Sequence, residues 1–356
     1  MALSRLLLKN IRSIKSAEIN PGRNFNLFYG DNGAGKTSLL EAINILSTGR
    51  SFRTHLIRDV IHHKQKYLTV SGTQGTVYKI LQLGIERSKD EVKVRINQQS
   101  VRQISELSFA LPVIEFHPGS TQILTGDPGQ RRSYLDWGVF QTTPDFLTDW
   151  RQYQHVLKQR NVLLKEKKPV SEISLWDQQL ISSAEKIHQA RYQYLLSLEC
   201  YLPQMLSELS IDYKLELGYR SGWKSGETFK QALEKNLKRD QSLGYTYSGP
   251  HRADLLIFLD SYSAASSASR GQLKFITILL KILQAIHYEK CTKNNAILLL
   301  DDLPSEFDTE HLKQIMQLIK RLNTQVFITT VNPGDNVIQQ NLQKMFHVKQ
   351  GVVREE

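Results

Sequence analysis

The stretch "GDNGAGKT", Gly30 to Thr37, follows the pattern G-x-x-x-x-G-K-[ST]. It lies between an apolar strand pattern, "NFNLFYG", and an amphipathic helix pattern, "SLLEAINIL". Glycines at this spacing let backbone N–H groups curl around nucleotide phosphates, and the start of the helix adds partial positive charge. Gly30, Asp31, Asn32, Gly33, Ala34, Gly35, Lys36, Thr37 and Ser38 are therefore the expected ATP-binding residues. Lys36 is expected to bridge the β- and γ-phosphates as a catalytic charge, and Thr37 to place its hydroxyl on Mg²⁺.

A phosphate loop needs a second group on the metal side, and "AILLLDDLPSEFD" offers one: an apolar run that ends in Asp301-Asp302. Ligands collect at the carboxyl edge of an open parallel sheet. Asp301 is expected to hold Mg²⁺ through a water, and Asp302 to orient or deprotonate the attacking water. A third candidate is Ser269-Arg270-Gly271-Gln272, in "SSASRGQLKF", 32 residues before Asp301. Ser269 is a good N-cap, and a hydroxyl with free N–H groups at a helix start forms an anion site. Ser269 joins Lys36 and Asp302 in the expected catalytic set.

The elements that must position these groups follow from periodicity. "RLLLKNI" and "NFNLFYG" read as strands, and Leu39, Leu40, Ile43 and Leu46 recur at helical spacing. Strands are expected near Tyr67 to Ser71, Val77 to Ile85 and Glu91 to Asn97, with Val92, Val94 and Ile96 on a core face and Lys93 and Arg95 on a basic one. From about Pro128 to Asp240 the pattern is helical, broken at Pro169. Strands and helices then alternate: "ADLLIFLD", "LKFITILLKILQAI", "NAILLLDD", a helix from Thr309, "QVFITT" and "MFHVKQG". The expected fold is α/β, a head assembled from both ends of the chain and interrupted by a mainly helical second lobe. Its parts are 1–128 with a basic β subdomain, 129–240 as the helical insertion, and 241–356 completing the head.

The chain of 356 residues carries a net charge of +11, and residues 1–128 hold 17 Lys and Arg against 10 Asp and Glu. Within them, residues 50–102 hold 11 basic and 4 acidic residues. Such an excess suits a polyanion, because each phosphate neutralised releases counterions. Lys64, Lys66, Lys93, Arg95 and Arg102 are the candidate DNA contacts, with salt-dependent binding little affected by base sequence. No apolar run approaches the roughly 20 residues of a membrane span, and "MALSRLLLKNIRS" has too short an apolar core for a signal peptide, so a cytoplasmic protein is expected. Cys200 and Cys291 show no metal-ligand spacing and read as buried structural thiols. The His62-His63 pair reads as surface.

The order of phosphate loop, Ser-x-Gly-Gln and an apolar strand ending in acids resembles the ABC-type ATPases. Within that class the chain is similar, over essentially its whole length, to the RecF family of bacterial recombination and repair proteins. "LLLKNIRS", "GDNGAGKTSLLEAI", "TGRSFRT", "GDPGQRRSYLDWGVF", "YQHVLKQRNVLL", "YSGPHRADL", "SRGQLK" and "LLLDDLPSEFD" carry the resemblance. It implies a head that dimerises head to tail with ATP, Ser269 to Gln272 of one copy covering the γ-phosphate held by Gly30 to Thr37 of the other. By the same resemblance Arg12 would reach the nucleotide and Asp308 would line the dimer interface. It further implies binding to single-stranded or gapped DNA, with duplex also possible, and slow ATP hydrolysis. RecO and RecR would be partners in loading RecA at gaps, in replication, repair and SOS induction.

The chain departs from that pattern at Gly119 and Ser120 in "EFHPGST", where acidic residues are common. It departs again at Thr329-Thr330, where transporters carry a switch His, so water positioning would rest on Asp302. His251, in "GPHRADL", belongs to a family motif to which the residues alone assign no chemistry. Two competing readings are an ATP-hydrolysing transporter subunit and a nucleotide-gated DNA scaffold without turnover. The 233-position separation of Ser269 from Lys36 and the basic excess argue against the first, and Asp301 and Asp302 against the second.

Overall fold

The computed structural model describes residues 2–76, 79–209, 211 and 213–356, so the expected strand start at Val77 lies outside the described residues. The chain divides into two compact units: Met1–Ser120 with Lys274–Glu356, and Thr121–Leu273. In chain order the strands are β1 (Leu3–Ile11), β2 (Ile14–Ile19), β3 (Phe25–Tyr29), β4 (Tyr67–Thr76), β5 (Lys79–Ser88), β6 (Val92–Ile96), β7 (Gln99–Val101), β8 (Val113–Phe116), β9 (Leu215–Arg220), β10 (Asp254–Leu259), β11 (Tyr262–Ser263), β12 (Ile297–Leu300), β13 (Val326–Thr330), β14 (Leu342–Lys349) and β15 (Val352–Glu355).

The first unit holds two six-stranded sheets. One is antiparallel, in the order β2-β1-β4-β5-β6-β7. The other, β15-β14-β3-β13-β12-β8, is parallel except at β15. Strands β12 and β13 are buried at every position, as expected of parallel strands covered on both faces. The helix Lys36–Thr48 contributes Leu39, Leu40, Ile43 and Leu46 to one core shared with Leu6, Val70 and Ile85 of the antiparallel sheet and Phe28, Phe327 and Val348 of the parallel one.

The second unit contains the helices Pro128–Thr142, Phe146–Lys165, Asp177–Glu208 and Phe229–Leu243, and the antiparallel sheet β11-β10-β9. Two fully buried arginines tie the helices together. Arg160 donates to Asp240 and Thr246 at 2.8 Å each and to Asp177, while Arg191 donates to both carboxylate oxygens of Asp136 and to the Pro250 carbonyl. At Gly138 a Cβ would lie 2.0 Å from the Tyr194 ring, so only glycine lets these two helices approach.

Several expectations change. The second unit runs from Thr121 to Leu273, not from 129 to 240, because "ADLLIFLD" pairs with β9 along its whole length, from Asp254↔Arg220 to Leu259↔Leu215. The first residues of the signature helix, Arg270–Thr292, therefore fall in the second unit. In β6 only Val94 is fully buried; Val92 is 38% exposed, because it sits at the strand's open end. Cys200 and Cys291 are exposed, Cys200 on the outer side of Asp177–Glu208 and Cys291 in the last turn of Arg270–Thr292 beside His287. Among the described residues no helix is long and apolar enough to cross a membrane.

Candidate nucleotide-binding site and basic surface

Parallel pairing brings the site together. β13 lies between β3 and β12, with Thr330 opposite Tyr29 and Leu300 opposite Ile328, so Gly30, Asp301 and Thr330 leave one edge of the sheet in the same direction. Gly30 has φ 148°, and a Cβ there would sit 2.1 Å from the Val348 carbonyl oxygen; the loop can turn here only as glycine. The helix Lys36–Thr48 then begins at Gly35, in the left-handed region, with no side chain accepting from its first turn and no acid in that turn. Such a start is an electropositive pocket of N–H groups.

Lys36 is buried and folds back, its Nζ donating to the Gly30 carbonyl at 2.7 Å and the Asp31 carbonyl at 3.0 Å. Burial lowers its pKa, against the pull of Asp302, Asp301 and Asp31. Thr37 Oγ1 donates to the Asp301 carboxylate, 2.9 Å from Oδ1 and 3.1 Å from Oδ2. Thr329 Oγ1 lies 2.7 Å from Asp301 Oδ1 and accepts from the Asp302 backbone N–H at 2.7 Å. Burial raises the Asp301 pKa, while the Thr329 and Thr37 hydrogen bonds oppose that rise. Asp302 stands at φ 54°, a strained position for a residue with a Cβ, and its Oδ1 accepts from Ser305 Oγ at 2.8 Å. The buried carboxylate, the threonine hydroxyl and the glycine cradle fit a nucleotide with its divalent cation.

Other expected residues are engaged differently. Arg12 donates from Nε and Nη2 to the Glu41 carboxylate at 3.1 and 2.9 Å, and from Nη1 to the Asp59 carbonyl at 2.7 Å, so its charge is already satisfied within the chain. Ser269 and Gln272 cap each other: the Ser269 N–H donates to Gln272 Oε1 at 2.8 Å, and the Gln272 N–H to Ser269 Oγ at 3.3 Å. The expected free N–H at Gln272 is therefore occupied. Arg270 and Gly271 beside them are exposed. Asp308 caps Thr309–Arg321, accepting from the His311 N–H at 2.9 Å and lying 2.7 Å from His311 Nδ1; those contacts lower its pKa.

The basic candidates do not form one stripe. Lys64 and Lys66 line a cleft of about 470 Å³ with Arg12, Arg58 and Lys89. Arg95 lines a second, about 260 Å³, with Arg5 over a floor that includes Ser71 and Gly84. Lys93 is paired with Glu86 and Glu91 at 3.2 and 3.3 Å, which removes it from the free positive face, and Arg102 is exposed.

Three residues escaped the sequence reading in these roles. Glu41, fully buried, also accepts from Ser51 Oγ at 2.5 Å; the signal was a lone acid inside the apolar "SLLEAINIL". Thr329 carries no sequence signal for this role beyond standing where transporters have a switch His. His117 stacks on Phe52 at 5.0 Å, and burial lowers its pKa.

Residues 2–354 match the family model described as the RecF/RecN/SMC N-terminal domain. The chain is 38% identical over 357 residues to the DNA replication and repair protein RecF of Shewanella pealeana, covering 99% of each chain. It is 36% identical over 358 residues to the protein of that name from Vibrio vulnificus, covering both completely. Among solved structures it superimposes on the recombination mediator protein RecF with ATP at a TM-score of 0.90 and 27% identity, covering all of this chain and 97% of the other. The Smc head domain from Pyrococcus furiosus, at TM-score 0.60 and 16% identity, shares the fold. The glycine cradle, the Thr37–Asp301 link and the Ser269–Gln272 cap thus sit in a chain whose full length matches one family, and the protein belongs to the RecF family of ABC-type, SMC-like ATPases.

Proposed function

We propose that this chain is a cytoplasmic DNA-binding ATPase of replication and recombinational repair, which closes as a head-to-tail dimer on DNA with ATP and reopens on slow hydrolysis. The observation that carries this reading is the hydrogen bonding of Thr37 to Asp301, 264 residues away in sequence. It unites the phosphate loop with the carboxylate of the apolar strand in the arrangement a nucleotide and its metal require. Gly30 to Ser38 would hold the phosphates, with Lys36 turning from its own carbonyls toward them. Thr37 and Asp301 would hold Mg²⁺, which supplies charge neutralisation at the terminal phosphates. Asp302 takes a proton from the attacking water. Thr329 fixes the Asp302 backbone, the positioning role the missing switch histidine leaves open.

Gly271 favours the dimer. A Cβ there would meet no atom within 4 Å outside its own helix backbone and chain neighbours, so no packing contact among the described residues requires glycine in a helix that it weakens. A second copy approaching this backbone would. Arg12 reaches a nucleotide in this scheme only by leaving Glu41, and Asp308 lines the interface. DNA contacts fall to Lys64, Lys66, Arg95 and Arg102, with Lys93 contributing less because of its acidic neighbours. RecR and RecO as partners, and loading of RecA at gaps, follow from family membership.

Sedimentation velocity with and without ATP, in the presence of gapped DNA, tests the reading. ATP should convert monomer to dimer and tighten DNA binding, and Asp302→Asn should accumulate the dimer while turnover falls roughly 100-fold. If ATP alters neither assembly nor DNA affinity, the clamp reading is wrong.

A further inference from the structure

The segment Gly244 to Gly249, "GYTYSG", lies in the second unit, in a motif region that the ATPase chemistry does not use. Its residues alternate: Tyr245 and Tyr247 are 38% and 37% exposed, while Thr246 and Ser248 are buried. Thr246 is anchored from within, its N–H and hydroxyl both donating to Asn161 Oδ1 at 2.8 and 2.7 Å, and the Tyr247 N–H donates to Asp240 Oδ1. These bonds fix the backbone between the two tyrosines, so that both exposed rings flank the buried Thr246.

Each ring carries a cation. The Arg239 guanidinium lies 3.4 Å from the Tyr247 ring centroid, and Arg252 lies 5.6 Å from that of Tyr245. Both arginines are exposed. Beside the segment opens a cleft of about 620 Å³, bounded by Gly244 and by His155, Lys158, Asn161, Val162 and Lys165 of the helix Phe146–Lys165. Among the described residues, none that lines it is acidic. His155, Lys158, Val162 and Lys165 follow one another at three- and four-residue steps, a single stripe along the helix.

We propose that this face is a platform for single-stranded nucleic acid, Tyr245 and Tyr247 stacking on successive bases while Arg239, Arg252, Lys158 and Lys165 follow the phosphates. Two exposed aromatics, each with an arginine on its ring, next to a cleft lined by Lys158 and Lys165, match a strand whose bases are unpaired. A duplex keeps its base faces stacked internally and would use the cations alone. An acidic protein surface would likewise engage the lysines without needing two ring faces.

The inference rests on the DNA-binding reading above and assigns one strand form to one surface. Fluorescence anisotropy of full-length protein with a labelled oligo-dT, and with a duplex of equal length, separates the two. Tyr245→Ala with Tyr247→Ala should weaken oligo-dT binding about tenfold per tyrosine and leave duplex affinity within twofold, whereas the double Phe variant keeps wild-type affinity for both. Wild-type protein that binds duplex but not oligo-dT, or a double Ala variant with unchanged oligo-dT affinity, overturns the platform and leaves the clamp standing. Wild-type protein that binds neither DNA overturns both. Loss of oligo-dT binding in the Phe variant also overturns the platform, since the ring faces are intact there.

Discussion

The helix Lys36–Thr48 begins at Gly35 with no side chain accepting from its first turn, whereas the helix Arg270–Thr292 begins with Ser269 and Gln272 accepting from each other's backbone. Both starts belong to the ATPase signature of the chain, yet they prepare differently for an anion. At Gly35 the polar groups left open can be satisfied only from outside, and the nearest cation, Lys36, waits on carbonyls of its own loop. At Ser269 the chain completes part of its own hydrogen bonding, so that end is content without a ligand. In the proposed dimer the difference would set an order: nucleotide would meet the open start first, and the capped start would engage only when its reciprocal pair gives way to a phosphate presented by another copy.

The largest break in this contrast comes at the open end. Lys36→Ala removes the charge proposed to turn from Gly30 and Asp31 toward phosphate, and the ATP dissociation constant should rise roughly 100-fold, the equivalent of about 3 kcal/mol. Calorimetric titration checks it. An affinity within threefold of wild type would mean that the N–H groups and Thr37 suffice without the lysine.

How much of this was legible in the sequence differs at the two ends. Gly30 to Thr37 fix their own geometry through glycine conformations and a helix start, all local properties, and "ILLL" before Asp301 announces a buried strand by composition alone. The Ser269 cap was legible for the same reason. The Gln272 side chain closing it was within reach, since Ser-x-x-Gln is a known reciprocal pattern. What was not legible depends on strand order. Thr329 meets Asp301 only because β13 runs between β3 and β12, and Arg12 meets Glu41 only because a strand-to-strand turn is laid against the middle of the helix. The boundary near 240 was misplaced because nothing local to "ADLLIFLD" reveals that its partner is β9. Lys93 looked free because its acids, Glu86 and Glu91, face it from a neighbouring strand and the turn before it.

A smaller effect sharpens the contrast through pH. Asp301 could hold the proposed cation only when ionised, a state present above its pKa and lost as pH falls through it. Burial has already moved that pKa up, and Thr329 holds it back. Thr329→Val removes one of the opposing hydrogen bonds, so the acid limb of ATP turnover should move to higher pH. Ser269→Ala, which removes one half of the Ser269–Gln272 cap and none of the Asp301 hydrogen bonds, should leave the limb where it is while lowering the rate. The sign for folding is the reverse: a raised carboxyl pKa means that the folded chain takes up the proton more readily than the unfolded one, so ligand-free stability gains as pH falls into that range. A pH–rate profile for the variants, set beside thermal melts without nucleotide, reads both signs. An unmoved limb in Thr329→Val would separate Thr329 from the metal-side carboxylate.

The smallest effect is the most discriminating. Gly271→Ala places a methyl group in open space at the second position of the signature helix, where alanine is the better helix former by up to about 1 kcal/mol. In the monomer the substitution should therefore raise the melting temperature by a few degrees or leave it unchanged. If Gly271 instead exists to let a second copy's nucleotide approach the backbone, the same methyl group should weaken ATP-dependent dimerisation severalfold, giving opposite signs for stability and assembly. Ser269→Asp adds a second handle: aspartate caps as well as serine, so the monomer should keep its stability, but in the proposed dimer its charge would face the γ-phosphate and should oppose dimerisation more than Ser269→Ala does. Melting curves and sedimentation with ATP on the three variants decide the matter. A Gly271→Ala protein that is both more stable and fully able to dimerise would make the capped start an ordinary helix end, and the active site would then have to be complete within one chain.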